Sequence, residues 1–335
     1  MFRKTGGKFV RDLTIALTLI FIANAIAACA VGEPEETELE RMLAYLPPVP
    51  EHPDFVEAGV SFSNPAELKR LHGFAEDATF ENAPEDRGGE FSEVVASAGM
   101  CMGLASHIPS FRPQMDLGYN VMAVKRCIGG SGVTVIEGFD PHHVAANLED
   151  RGYDVDEYGD VTTYHFNAEN YTGDDRDREL AEMAGQVAVL EEAVIIAATT
   201  ERLHAALDTR AGRADDLSST SHYDALAQAL GPVVNAVLFS IEEGPRQLMG
   251  IGYQEIAQQE RYIFLASTHA TTEEAQAEGE GLVENLEAHS LANRWQEIGE
   301  PTITDFEGGV VLTIALELKD RAPGGIPGEL FLVWS

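Results

Sequence analysis

The sequence predicts an α+β fold made of two tandem modules, each a mainly antiparallel sheet with helices on one face. Three observations carry this reading. The order β-α-β-β is read twice, over residues 133–166 and again over 261–318. Each unit ends in two runs of alternating residues joined by a tight turn, Gly159-Asp160 in the first and Glu307-Gly308-Gly309 in the second. A hydrophobic content of 44% in 335 residues supplies enough apolar surface for a large core.

The elements follow in chain order. Residues 37–46 read as a short helix stopped by Pro47-Pro48, and residues 55–62 as a strand. Ser63-Asn64-Pro65 opens a helix with a polar cap and a proline in the first turn, carrying Leu68 and Leu71 and ending at Gly73. Residues 76–89 are acidic and turn-rich, a surface loop. Residues 91–104 read as a helix with Val94, Val95 and Ala98 on one face. Gly129-Gly130-Ser131-Gly132 precedes a strand, so it is a hairpin turn and not a phosphate loop, which would join a strand to a helix. The first unit is then a strand at 133–136, a helix capped by Asp140-Pro141 and closed by Gly152, and the hairpin 153–166. Strands at 186–191 and 193–198, helices at 200–210 and 222–230 and a strand at 233–241 lead to the second unit. That unit has a strand at 261–267, a helix from Thr271 or Thr272 to about His289, strands at 302–306 and 310–318, and a last strand at 330–334. The hairpins 156–161 and 304–310 can be laid side by side. Split β-α-β sheets of the ferredoxin-like kind have this order. The expected boundaries are 51–231 for the first module and 232–335 for the second.

The first fifty residues are of a different kind. Arg3, Lys4, Lys8 and Arg11 open the chain, and residues 13–28 form an apolar run broken only by Thr14, Thr18 and Asn24. A basic start, a short apolar run and small residues before a cleavage point mark a signal peptide. The run is short for a membrane span, which needs about 20 apolar residues. It ends in Ile26-Ala27-Ala28-Cys29. This resembles the lipobox of bacterial lipoproteins, an aliphatic residue and two small ones before a cysteine. The resemblance implies cleavage between Ala28 and Cys29 and lipid attachment at Cys29, with residues 1–28 as the signal peptide. Several acyl chains hold a protein stably at a membrane where one does not. The alternatives are an ordinary signal peptide cut near Ala28 and an uncleaved anchor helix. Residues 29–50 then serve as an acidic tether and short helix, with Gly32, Pro34 and five glutamates by residue 40.

The formal charge is −34, and loss of residues 1–28 takes it to −37. Such a field excludes nucleic acid as a partner and suits saline water or cationic partners. Only Lys69, Lys125 and Lys319 are lysines beyond residue 28. With Cys29 lipidated, Cys101 and Cys127 are left, either a disulfide in an exported chain or two separate buried thiols.

No catalytic constellation stands out. Gly-x-Ser-x-Gly and His-Glu-x-x-His are both absent. His142 and His143 beside Asp140, with His165 on the next hairpin, lack zinc-ligand spacing, and adjacent helical residues point apart. Asp174, Asp175, Asp177 and Glu179 lack the glycine and distal glutamate of a calcium loop. Asn170-Tyr171-Thr172 is a glycosylation sequon. No metal or cofactor is implied. The expected function is a membrane-anchored extracytoplasmic lipoprotein with a binding or scaffolding role. Its partners are membrane lipid through Cys29 and a protein or small molecule, with the groove between the modules as the ligand site. The alternatives are an extracytoplasmic enzyme without a recognisable motif and a solute-binding component of a transporter.

Overall fold

Side chains just outside the helices set where they begin. The computed structural model describes residues 36–48, 59–79, 82, 87–98, 121–130, 132–170, 172, 185–241, 247–257, 260–288 and 295–319. The chain divides into two units, Met1–Glu36 and Thr37–Ser335, and every element below belongs to the second. Helix α1 (Glu38–Leu43) starts on a reciprocal cap: Thr37 Oγ1 accepts from Glu40 N at 3.2 Å, and the Glu40 carboxylate accepts from Thr37 N at 2.6 Å. Helix α2 (Pro65–Leu71) is capped by Asn64, which accepts from Glu67 N at 3.1 Å, and the chain leaves it through Gly73 at φ +67°. Helix α3 spans Gly88–Ala98. Asp140 caps α4 (Pro141–Asp150), and Thr199 caps α5 (Thr200–Arg210). Helix α6 (Ser221–Leu230) ends at Gly231, and α7 (Thr272–Ala288) completes the set.

The thirteen described strands join one antiparallel sheet. They are β1 (Val60–Ser63), β2 (Arg126–Gly130), β3 (Val133–Glu137), β4 (Asp154–Tyr158), β5 (Val161–His165), β6 (Gln186–Val189) and β7 (Ala193–Ala197), followed by β8 (Asn235–Ile241), β9 (Gln247–Ala257), β10 (Glu260–His269), β11 (Trp295–Ile298), β12 (Thr302–Phe306) and β13 (Gly309–Leu318). The spatial order is β11-β13-β10-β9-β8-β1-β2-β3-β7-β6-β5-β4, with β12 also on the outer edge of β13. The short strand β1 therefore sits in the middle, between a half made of β8 to β13 and a half made of β2 to β7. The α+β class holds. The two hairpins that align in sequence take different places: β13 lies against β10, whereas β5 lies against β6, with β6 and β7 between it and β3.

The expectation of helices on one face is corrected. Strands β3 and β7 are buried at every position, so both faces need cover. Alternate residues divide between separate cores. On one face, Leu39, Met42 and Leu43 of α1, Leu203 and Leu207 of α5 and Leu226 and Leu230 of α6 pack on Phe62, Ile128, Val135, Ile195 and Leu238. On the other, Leu68 of α2, Phe91 and Val94 of α3 and Leu282 and Leu286 of α7 cover Ile251, Tyr253, Ile263 and Ile314. Val144 and Leu148 of α4 cover Cys127, Ile136, Val187 and Ile196 on that same side, further along the sheet.

The longest strand escaped the sequence reading. In β9, Gly250 and Gly252 look like punctuation, but they are seats for α6. A Cβ on Gly252 would stand 2.6 Å from Val233 Cγ1 and 3.2 Å from Leu230 Cδ2, and one on Gly250 would stand 3.1 Å from Leu230 Cδ1. Gly252→Val is therefore expected to destabilise the protein by about 1–3 kcal/mol through overpacking. Gly281→Ala in α7, where a Cβ meets nothing within 4 Å, should be neutral or stabilising by up to about 1 kcal/mol. Urea unfolding of the two variants beside the wild type checks the contrast. Strands β2 and β11 were also unread. The strand expected at 330–334 and positions 99–104 of the expected helix lie outside the described residues.

Candidate binding cleft

The two halves of the sheet meet at β1, and a cleft of about 560 Å³ opens beside its C-terminal end. Helix α1 on one face and α2 on the other form its walls. The chain entering β2 brings Lys125 and Arg126, and the chain entering β8 brings Pro232, Val233 and Val234. Backbone bonds stitch these segments together: Asn64 N donates to Val234 O at 2.7 Å, and Ala66 N donates to Lys125 O at 3.1 Å. The apolar lining is Pro232, Val233, Val234 and Phe74. The charged lining is Arg70, Lys125 and Arg126 against Glu38, Glu67 and Glu76. In a chain of net charge −34, equal numbers of cations and carboxylates on one surface make a local exception.

The charges differ in how firmly they are held. Glu137 accepts from Arg126 Nε at 2.6 Å and from Arg41 Nη1 at 3.0 Å. Glu38 accepts from Arg126 Nη1 at 2.8 Å and from Arg41 Nε at 2.9 Å. This ring of two guanidinium groups and two carboxylates fastens α1 to β2 and β3, with Glu137 buried. The pairs Lys125–Glu76 and Arg70–Glu67 are open to water, at 49%/61% and 69%/34% side-chain exposure. Exposed pairs of this kind contribute little, because water screens the attraction and two long side chains must be held in place.

Behind α2 lies a second cluster, buried and internally satisfied. His72 Nδ1 is 2.6 Å from Glu90 and Nε2 is 3.2 Å from Glu255. Two carboxylate partners require both ring nitrogens to donate, so His72 is an imidazolium. Glu255 also accepts from Tyr253 Oη at 2.9 Å and from Arg261 Nη2 at 3.1 Å. The bond to Glu255 lifts His72 above its ordinary 6.5 despite burial, with Glu90 adding to the effect. The Arg87 guanidinium holds Glu90 down at about 2, with His72 contributing. The stabilisation from His72 is complete below pH 6.5 and is lost as pH rises through the higher folded value. Thermal melts should therefore show the wild type losing on the order of 1–3 kcal/mol above neutral pH, and His72→Gln lacking that limb. A wild type and variant with parallel profiles from pH 6 to pH 9 would refute this assignment. Lys69 is likewise internal: its ammonium donates to the carbonyls of Met122 at 2.7 Å, Glu76 at 2.8 Å and Ala78 at 3.3 Å.

One grouping has the residue types of a nucleophile triad without its geometry. Ser267 Oγ lies 2.9 Å from His269 Nε2 and donates to Glu278 at 2.9 Å, while Glu278 lies 3.7 Å from that same ring nitrogen. A triad needs the acid on the opposite nitrogen, and Ser267 is fully buried.

Asp140 is the cap expected from sequence, accepting from His142 N and His143 N, and both histidines are exposed. His165 bonds Thr163 on its own strand and Gln186 across the sheet, and the structure does not bring it to His142 or His143. Among the described residues, no group of three or more His, Cys, Asp or Glu side chains converges on one point. Asn170 donates to Asp154 at 3.1 Å and Thr172 to the Asp150 carbonyl at 3.0 Å. Gly130 pairs with Val133 across the expected hairpin turn. Cys127 is fully buried and disulfide-bonded. Ala28, Cys29, Cys101, Asp174, Asp175, Asp177 and Glu179 lie outside the described residues. The cleft itself was missed: its members come from four separated stretches, and only the junction between halves pointed to it. No family model, curated protein or solved structure matches the chain.

Proposed function

We propose that this chain is an extracytoplasmic lipoprotein, anchored to a membrane through lipid on Cys29, with a non-enzymatic binding role centred on the cleft at the end of β1. The observation that carries the binding reading is the cleft itself. Its volume falls in the range of about 300–1,000 Å³ usual for small-molecule sites, and it pairs an apolar floor with converging charged groups. The disulfide at Cys127 supports the export reading, because such bonds persist in oxidising compartments. With Cys29 lipidated, Cys101 is its partner. No described helix is long and apolar enough to cross a membrane.

The two-module reading belongs here as well. Hairpin β2–β3 leads into α4, and hairpin β9–β10 leads into α7. In each half a later strand, β7 or β13, returns beside the strand that precedes the helix. That shared path supports related modules, with β6–β7 and not β4–β5 as the counterpart of β12–β13.

The test is a thermal-shift screen of the purified protein against cationic, anionic, neutral and zwitterionic small molecules, run beside Ala66→Trp. Ala66 lines the cleft and is half-buried, so the indole occupies the space. A compound that raises the wild-type Tm and leaves Ala66→Trp unmoved supports the reading. Equal shifts in both proteins would place binding elsewhere.

A further inference from the structure

We propose that the cleft takes a zwitterionic ligand with an apolar side chain: a free amino acid or short peptide with both its ammonium and its carboxylate uncapped. This rests on the binding role proposed for the same cleft, and it follows from how the charges are arranged.

Three cations and three carboxylates line the cleft, so the wall itself is neutral. The rest of the molecule is not. A field of −34 repels a net anion and draws in a net cation from a distance. A net anion is therefore disfavoured on approach, and a net cation matches only the carboxylates of the wall and leaves Arg70, Lys125 and Arg126 without a counterpart on the ligand. A ligand of zero net charge and separated ends avoids both penalties.

The same lining tells where the ends go. Arg126 and Glu38 are held in the ring with Arg41 and buried Glu137, so they are a fixed border. Lys125–Glu76 and Arg70–Glu67 are exposed pairs, each bound to its partner by little. A ligand carboxylate can take the place of Glu76 on Lys125 or of Glu67 on Arg70. The displaced glutamate is then free to receive the ligand's ammonium. The exchange opens one ion pair and forms two, and the ligand bridges a pair that was closed on itself. Exposed Pro232 and the edges of the largely buried Val233, Val234 and Phe74 supply the apolar part of the same lining.

The experiment is isothermal titration of the purified full chain, in low salt, with the dipeptide Leu-Leu, with free leucine, and with N-acetyl-Leu-Leu-amide. The proteins are wild type, Lys125→Met, Arg70→Met and Ala66→Trp. Lys125 and Arg70 are exposed, so the substitutions leave the core untouched, and far-ultraviolet circular dichroism and Tm check that each variant folds. The expected result is saturable binding of Leu-Leu or leucine, at least tenfold weaker binding of the capped compound, and at least tenfold loss in Lys125→Met or Arg70→Met. Capped and free compounds binding alike, with loss in Ala66→Trp, would overturn the zwitterion and leave the cleft as a binding site. No binding by either free compound would overturn the inference, while the wider screen with Ala66→Trp still judges the binding role. Binding that survives Ala66→Trp would overturn both.

Discussion

Replacing Glu255 by alanine is expected to cost about 3–5 kcal/mol of stability, the usual penalty for leaving buried charges without their partner. Glu255 on β9 is fully enclosed and receives His72 from the C-terminal cap of α2, Arg261 from β10 and Tyr253 from its own strand. Burial pushes this carboxyl up, but the bonds from His72 and Tyr253 and the charge of Arg261 together bring it below its ordinary 4.5. Removing it leaves the buried Arg261 guanidinium without its carboxylate and the His72 imidazolium with Glu90 alone, in a low-dielectric site. Glu255→Gln keeps an acceptor and should cost less, on the order of 1–3 kcal/mol. Urea denaturation of the two variants at pH 6 orders them. A loss below about 1 kcal/mol for Glu255→Ala would mean that water reaches the cluster and that it does not lock α2 to the sheet.

Cys127→Ser is the second large effect. Under the proposed pairing with Cys101, the bond closes a loop of roughly 25 residues, for which chain-entropy estimates give about 3 kcal/mol. Cys127 is fully buried among Ile136, Val144 and Val194, so a hydroxyl there adds a polar-burial penalty to the lost cross-link. The reduced wild type should approach the variant's Tm, and peptide mapping without reductant should recover one linked pair containing Cys101 and Cys127. A link from Cys127 to Cys29 would contradict both the pairing and the lipid.

Local signals carried most of the secondary structure. Asn64 and Asp140 announced their helices, because a cap is a short-range device in which a side chain and its target are three residues apart or fewer; the caps of Thr37 and Thr199 are of the same kind and emerge only in the structure. Turns at Gly159 and Gly308 were legible for the same reason: both glycines take positive φ. What escaped was set by distant partners. Gly250 and Gly252 break the pattern of β9 only because Leu230, twenty residues earlier, needs the room. The second helical layer was hidden as well. The run 193–197 is apolar without alternation, which signals cover on both faces, but which helix supplies the cover is a property of the whole sheet. Neither ion cluster could be read from sequence, since Glu255 and His72 are 183 positions apart and 56 acidic residues offer no reason to choose one.

Within this account the cleft faces the medium only if the chain is exported and held by lipid. The most direct test is intact-mass spectrometry of the protein produced in a lipoprotein-processing bacterium, beside Cys29→Ala. The account predicts a mature N-terminus at Cys29 with a lipid mass increment, recovered in the membrane fraction, and loss of both in the variant. A wild type with an unmodified N-terminus elsewhere, or one recovered wholly in the soluble fraction, would contradict it.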